Sequence, residues 1–153
     1  MTILPRKSAS RRGSTIVEFA LVSFQLLLVI FAAFEFGRMI LVFTTVANAA
    51  RIGVRYAIVH GNTSTASGVN GPSGPGANPT NVVNVVKDYA KVGLLDLSML
   101  TVTVSYPDLG PGGTATNAPG SRVTVTTVYT YDPWVALPLN VPLGTTTQGV
   151  ITF

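Results

Sequence analysis

A long apolar stretch near the N-terminus constrains this fold more than any other feature. Between Thr15 and Phe34 the only ionisable side chain is that of Glu18. An α-helix rises about 1.5 Å per residue, so about 20 such residues cross the roughly 30 Å hydrocarbon layer of a bilayer. The stretch therefore predicts one transmembrane helix over residues 15–34.

The predicted helix continues beyond the lipid. No proline occurs between Pro5 and Pro72, and apolar residues continue past Arg38. We therefore expect one helix over residues 14–59. From Thr15 to Val59 it would be about 68 Å long, so its second half would project from the membrane.

The positive charge of the chain is concentrated at the N-terminus. The chain has ten basic and six acidic residues, and its sequence pI is near 9.8. Arg6, Lys7, Arg11 and Arg12 all precede Gly13, which leaves six basic and six acidic residues downstream. This distribution argues against nucleic-acid binding, which needs basic side chains clustered on a folded face. It is typical of the cytoplasmic side of a span, and predicts a cytoplasmic N-terminus and an extracytoplasmic C-terminus.

The apolar segment is a poor match to a removable signal peptide. Ala47-Asn48-Ala49 offers a small-x-small cleavage site. However, the apolar region before it is about twice the usual upper length and is interrupted by Glu35 and Arg38. Retention of the segment is therefore expected.

The junction between the basic leader and the apolar stretch carries a second possible processing site. Glu18 is the fifth residue after Gly13, and Phe19 is the sixth. This pattern resembles the type III signal of type IV pilins, which a prepilin peptidase cuts after the glycine. The resemblance implies a leader over residues 1–13 and a mature chain that begins at Ser14.

The spacing of Glu18 also has a physical interpretation. Cleavage would leave an α-ammonium at Ser14, one helical turn from Glu18 and on nearly the same face. An unpaired carboxylate in lipid costs about 2–3 kcal/mol or more, so pairing with this terminus or with that of an adjacent subunit would favour assembly. The alternative is that Glu18 simply lies among headgroups, where the positive end of the helix dipole favours it. With Gly13 and Phe19 beside it, the assembly interpretation is preferred.

Later motifs narrow the family. The combined pattern over residues 1–60 resembles the N-terminal region of TadE-like proteins, the minor pilins or pseudopilins of tight-adherence (Tad) pili. The matching motifs are Arg12-Gly13, Val17-Glu18-Phe19-Ala20, Glu35-Phe36-Gly37-Arg38 and Asn48-Ala49-Ala50-Arg51-Ile52-Gly53-Val54-Arg55-Tyr56-Ala57.

Small residues recur every four positions along the predicted helix. Such stripes let helix backbones approach closely. We expect Ala33 and Gly37 to pack on another helix. For Ala49, Gly53 and Ala57, packing on the outer domain of the same chain is preferred.

Charged pairs mark the outer part of the predicted helix. Glu35 and Arg38 are three residues apart and form a predicted helical pair at the membrane boundary. The alternative is that they merely end the span. Arg51 and Arg55 share a face and are expected to hold carboxylates or remain solvated.

The outer part of the chain predicts a linker followed by a small α+β domain over residues 80–153. Residues 60–79 are rich in Gly, Ser, Thr, Asn and Pro and carry no charge, as in a linker or long surface loop. Asn62 begins a short glycosylation-type motif. Thr80 to Val92 has helical spacing of apolar residues and is followed by Gly93.

Alternation of apolar and polar residues predicts the strands of this domain. Strands are expected at Thr101–Tyr106 and Arg122–Tyr131, the second with a possible bulge near Thr126-Thr127. Asp132–Gly144 contains three prolines and is predicted to be irregular, with a last strand in Thr145–Phe153. The predicted fold is α+β: a long N-terminal helix, then a small antiparallel sheet with one packed helix. The pilin resemblance implies the same arrangement.

No pattern of residues indicates catalysis or metal binding. The chain has one histidine, His60, and no cysteine, and its outer acidic residues are scattered. Asp108-Leu109-Gly110 lacks the alternating oxygen ligands of a calcium loop. Tyr129, Tyr131 and Trp134 are expected to belong to the sheet core or surface, or to an exposed aromatic patch that serves a subunit contact. We therefore expect no cofactor and no small-molecule substrate.

The resemblance implies a minor pilin or pseudopilin that takes part in assembly of Tad (Flp-type) pili and is not an enzyme. The implied location is the bacterial inner membrane. The implied partners are a prepilin peptidase, other pilins such as a TadF-like protein and the major Flp-type pilin, and the inner-membrane assembly platform. The alternatives are a stationary single-pass scaffold of the pilus machine and a membrane-anchored enzyme or binding module.

Overall fold

The predicted α+β fold is confirmed. A computed structural model describes residues 11–64, 73–93, 95–134 and 140–153. Its elements are α1 (Arg11–Val59), α2 (Thr80–Val92), a 3₁₀ turn (Leu97–Met99), β1 (Leu100–Ser105), β2 (Arg122–Tyr131) and β3 (Val141–Val150). The chain forms two compact units, residues 1–37 and residues 38–153. The second unit, which we call the outer domain, contains the end of α1 and all the other elements.

The sheet is an antiparallel meander with β2 in the centre. The pairing of β1 with β2 runs without interruption from Leu100 opposite Tyr129 to Ser105 opposite Thr124. The expected bulge near Thr126-Thr127 is therefore wrong. Thr127 occupies an inward position of the normal alternation, fully buried, and its hydroxyl donates to the carbonyl oxygen of Val46 at 3.2 Å. The inward hydroxyl thus has a hydrogen-bond acceptor, and no extra residue is needed to turn it outward.

The boundaries of the outer strands differ from those expected. β1 lies one residue earlier than predicted, and β3 begins at Val141 rather than Thr145 and ends before Ile151. The expectation of an irregular segment through Gly144 was wrong because Pro142 lies inside β3. This position is allowed because β3 is an edge strand, and an edge position can face away from its neighbour and so needs no N–H donor.

The two edges of the sheet differ in how their backbone groups are bonded. On the β1 edge, the N–H of Asn78 donates to the Val104 carbonyl at 3.0 Å, and the Val104 N–H donates to the Asn78 side chain at 2.7 Å. Asn78 reaches both groups from a left-handed conformation, with φ of 53°. Within the part of the chain that the structure describes, β3 has no such cover on its free edge, and none of its ten residues is charged.

The core lies between one face of the sheet and two helices. From α1 it receives Val46, Ala49, Ala50, Val54 and Ala57, from α2 Val82, Val86 and Ala90, and from the sheet Leu100, Val104, Val123 and Val125. A Cβ atom at Gly53 would lie 3.5 Å from Val125 and would collide with Val86. Because Gly53 has no side chain, α1 can pack closely against Val86 of α2 and Val125 of β2.

The segment before α2 is attached to the end of α1 through a buried serine. Ser73 is fully buried, and both its N–H and its hydroxyl donate to the carbonyl oxygen of His60 at 2.7 Å. Tyr106 donates its hydroxyl to Ser73 at 2.9 Å, and Asn117 donates to the Ser73 carbonyl. Burial raises the pKa of Tyr106 above its usual 10.0, so the phenol stays protonated and acts as the donor.

Two carboxylates hold turns around β1. Asp108 accepts hydrogen bonds from the Arg122 guanidinium at 2.6 Å and from the Arg122 backbone N–H at 2.6 Å. These bonds, the side-chain bond first, lower the pKa of Asp108. Asp96 accepts from the backbone N–H and then the hydroxyl of Ser98, which lowers its pKa as well.

The lowered pKa values of Asp108 and Asp96 predict loss of stability in acid. Each carboxylate binds protons less readily when folded, so its contribution is full above its ordinary pKa of 3.8 and is lost as the pH falls from that value through the lowered pKa of the folded state. Urea unfolding of the full chain in detergent micelles, followed by circular dichroism, should show a free energy of unfolding that drops below about pH 4. The double variant Asp96→Asn, Asp108→Asn should be less stable at neutral pH and show a shallower drop. Equal acid slopes in the two proteins would contradict this assignment.

The close approach at Gly53 predicts opposite effects of alanine at two glycines of α1. Val86 is β-branched and sits on a helix, so it cannot easily rotate away from a new methyl group at position 53. We expect Gly53→Ala to lower the free energy of unfolding by about 1–2 kcal/mol, despite the better helix propensity of alanine. A Cβ at Gly37 meets nothing within 4 Å, so the control Gly37→Ala should leave stability unchanged or raise it by up to about 1 kcal/mol. Chemical unfolding in the same detergent measures both, and a Gly53→Ala protein as stable as the control would disprove the packing role.

Candidate functional site

The first unit presents an apolar helix surface whose described side chains are exposed. Large apolar side chains between Ile16 and Phe36 are exposed, among them Phe19, Phe24, Phe31 and Phe34. An 18-residue window of this helix has a mean hydropathy of 2.4, and none of that window is buried. One helix of the described chain is therefore long and apolar enough to cross a membrane, as in a single-pass membrane protein.

The residues predicted to act in processing and assembly lie at the start of this surface. Gly13, Ser14, Glu18 and Phe19 are all exposed on the first turns of α1. Glu18 lies among exposed apolar neighbours, which include Ile16 and Phe19. Residues 1–10 of the predicted leader lie outside the described residues.

The small residues of α1 fall into two groups with different surroundings. Ala33 and Gly37, in the first unit, are exposed. Ala49, Gly53 and Ala57, in the outer domain, are buried against the chain itself. Of the two sets, only Ala33 and Gly37 have a surface available to another helix.

Arg38 is held by the end of β2. Its Nε donates to the Tyr131 hydroxyl at 2.9 Å, and its Nη2 donates to the Asp132 carbonyl at 2.6 Å. Its guanidinium carbon also lies 4.6 Å from the centroids of both the Tyr131 and the Trp134 rings. We call this arrangement the Arg38 clamp. It joins α1 to the far end of the sheet by hydrogen bonds and cation–π contacts.

Sequence reasoning paired Arg38 with Glu35 and missed the clamp. The one available signal was the placement of aromatic residues at the end of a predicted strand, since Arg stacks well on Tyr and Trp. Glu35 is half-buried on α1. The contact joins positions 93 residues apart, which no local periodicity relates.

The remaining polar residues of α1 have structural positions. His60 follows the end of α1, where its Nδ1 lies 2.8 Å from the Tyr56 carbonyl and its ring stacks on Tyr56 at 3.9 Å. Arg51 and Arg55 are exposed. Among the residues that the structure describes, no group of three or more His, Cys, Asp or Glu side chains is placed to hold a metal ion.

The comparisons with known proteins concern the same helix. Residues 13–55 match the sequence model of the TadE-like protein family. This N-terminal region, less than a third of the chain, is similar to TadE-like proteins. The match begins at Gly13, runs through Glu18 and the Arg38 position, and ends inside α1, so the sheet lies outside it. Searches of curated proteins and of solved structures found no match.

The family match implies a protein associated with the Tad pilus. TadE-like proteins form a structural, pilus-associated family rather than a catalytic one. Membrane association and pilus partners follow from the same match.

The Arg38 clamp predicts a stability effect at the end of β2. Arg38→Ala should lower the free energy of unfolding by about 1–3 kcal/mol, because two charge-assisted hydrogen bonds and the ring contacts are lost. Arg38→Lys should recover only part of this stability. The ammonium of lysine cannot reproduce the planar guanidinium, which bonds two acceptors and stacks on two rings. Urea unfolding followed by near-UV circular dichroism measures the change.

A matched control for the clamp is Arg51→Ala on the same helix. Arg51 is exposed, and its hydrogen bond to the Asn48 side chain is long, at 3.5 Å, so its removal should change stability by less than about 0.5 kcal/mol. Equal effects at Arg38 and Arg51 would show that the clamp contributes nothing.

Proposed function

We propose that this chain is a minor pilin or pseudopilin of a Tad pilus. In this proposal it is inserted in the inner membrane by the first half of α1, cut after Gly13 by a prepilin peptidase, and assembled through that helix. Its N-terminus is cytoplasmic and its outer domain extracytoplasmic. The proposed partners are other pilins, including a TadF-like protein and the major Flp-type pilin, and the assembly platform in the membrane.

The observation that carries the proposal is the change in burial along α1. From Val46 to Ala57 the helix provides the core of the outer domain. From Ile16 to Phe36 its apolar side chains are exposed. An exposed apolar surface of this size needs lipid or other helices to cover it. A helix that can exchange lipid for neighbouring helices is what a pilin requires.

Glu18 supplies a reason for ordered assembly. Its carboxylate lies on the exposed apolar surface, where lipid would surround it. A charge in this setting favours any neighbour that brings a positive group, and cleavage after Gly13 would create one at Ser14. Each added subunit would then neutralise a carboxylate and set the axial position of the next helix.

The proposal predicts a defined mass change and a role for Glu18 in assembly. Intact mass from cells with an active prepilin peptidase should lack residues 1–13, and mass from cells without it should include them. Glu18→Ala and Glu18→Gln should leave cleavage intact but reduce the amount in sheared pili by about tenfold or more, given the 2–3 kcal/mol cost of an unpaired intramembrane carboxylate.

The control for this experiment is Glu35→Gln, which removes a carboxylate that lies just beyond the apolar stretch of residues 15–34. It should leave recovery in pili near the wild-type level. Full assembly of both Glu18 variants would refute charge pairing, and an uncut chain in peptidase-positive cells would refute processing at Gly13.

A stationary membrane scaffold is the alternative within the same family. It would share the exposed helix and the membrane location, but it would stay with the cell body. Crosslinking followed by shearing separates the two, because a pilin enters the sheared fraction and a scaffold does not.

A further inference from the structure

Trp134 is exposed although it is the largest apolar side chain of the outer domain. Its relative exposure is 82 %, and it is the single tryptophan of the chain. Its ring nevertheless has a contact within the outer domain, because the Arg38 guanidinium carbon lies 4.6 Å from its centroid. A single exposed ring is ordinary by itself, so the meaning of this one depends on its surroundings.

The position of Arg38 along α1 indicates what that surface meets. Arg38 follows Phe34, the last residue of the predicted span, by four residues, or about 6 Å of helix. The headgroup layer on each side of a bilayer is about 5–7 Å thick beyond the hydrocarbon. When the span is inserted, the Cα atom of Arg38 therefore lies at the depth of the headgroups, and the Trp134 ring contacts the guanidinium that this residue carries.

The chemistry of the surrounding side chains suits this depth. Tryptophan favours the membrane–water interface, where its ring contacts acyl chains and its N–H reaches polar groups. Ile40, Leu41 and Phe43 are also exposed on the adjoining part of α1. Leu41 is three residues after Arg38 and so lies on the same face of α1, which places further apolar surface beside the guanidinium that contacts the ring.

We propose that Trp134 lies in the headgroup layer of the leaflet on the outer-domain side and anchors the end of β2 to the membrane surface. This inference rests on the membrane insertion proposed above. The occupant of the surface is the lipid interface, and Arg38 acts as a positioning residue that holds the ring at the right height.

The fluorescence of the single tryptophan tests this in the full chain. The protein is reconstituted into phosphatidylcholine–phosphatidylglycerol vesicles that contain lipids brominated either close to the headgroup or near the chain end. We expect strong quenching of Trp134 by shallow bromines, at least about twofold more than by deep ones, because bromine quenches only at contact range. Arg38→Ala should reduce the shallow quenching, whereas Arg51→Ala should not.

Two further single-tryptophan variants calibrate the depth. In the Trp134→Phe background, Phe24→Trp reports the middle of the span and should be quenched best by deep bromines. Thr114→Trp reports an exposed loop near the opposite end of the outer domain, since Asn117 of that loop accepts from the N–H of Asn62 just beyond α1. It should be quenched by neither lipid.

The outcomes separate the inference from the proposed function. If Phe24→Trp is not quenched, the helix is not inserted and both proposals fail. If Phe24→Trp is quenched but Trp134 is quenched by neither lipid, the anchor alone is overturned. In that case open access of acrylamide to Trp134 would place the ring in water, and protection from acrylamide would place it against another protein.

Discussion

The close packing of α1 on α2 and β2 is the contact on which the rest of the outer domain depends. A three-stranded sheet has little stability of its own, and the chain has no cysteine to cross-link it. The buried side chains of the sheet share one core with Val46, Ala49, Val54 and Ala57 of the helix. Gly53 allows this by leaving space for Val86 and Val125. The second half of α1 is therefore a core element of the domain and not a spacer.

The two halves of α1 therefore have different roles: the second half belongs to the core of the outer domain, and the first half presents an exposed apolar surface. Loss of the chain up to Ala49, as a signal-peptide cut at Ala47-Asn48-Ala49 would cause, would remove Val46 and the acceptor of the Thr127 hydroxyl from the core. The same helix offers its first half, with Glu18 and Phe19 exposed, to lipid or to other helices.

Sequence reasoning succeeded where the signal is local. The end of α1 at Val59, both ends of α2 and both ends of β2 could be predicted because helical spacing, strand alternation and the terminating Gly93 act over a few residues. It failed for β3, since the rule against proline in strands does not apply to an edge, and for Thr127, whose partner is a helix carbonyl 81 residues away.

The candidate site shows the same limit. Gly13, Glu18 and the later motifs predicted the family match because family motifs are contiguous in sequence. The Arg38 clamp combines α1 with Tyr131 and Trp134 from the other end of the chain. No spacing rule links these positions, so the structure was needed to find them.

The open, uncharged edge of β3 has a consequence for the state in which the protein is handled. Edges of this kind are templates for antiparallel pairing with an identical strand. Such pairing places a two-fold axis perpendicular to the sheet. The paired strands, and the helices packed on the sheet, then run in opposite directions in the two molecules. Because none of the ten residues of β3 carries a charge, self-association through this strand is expected when the protein is concentrated.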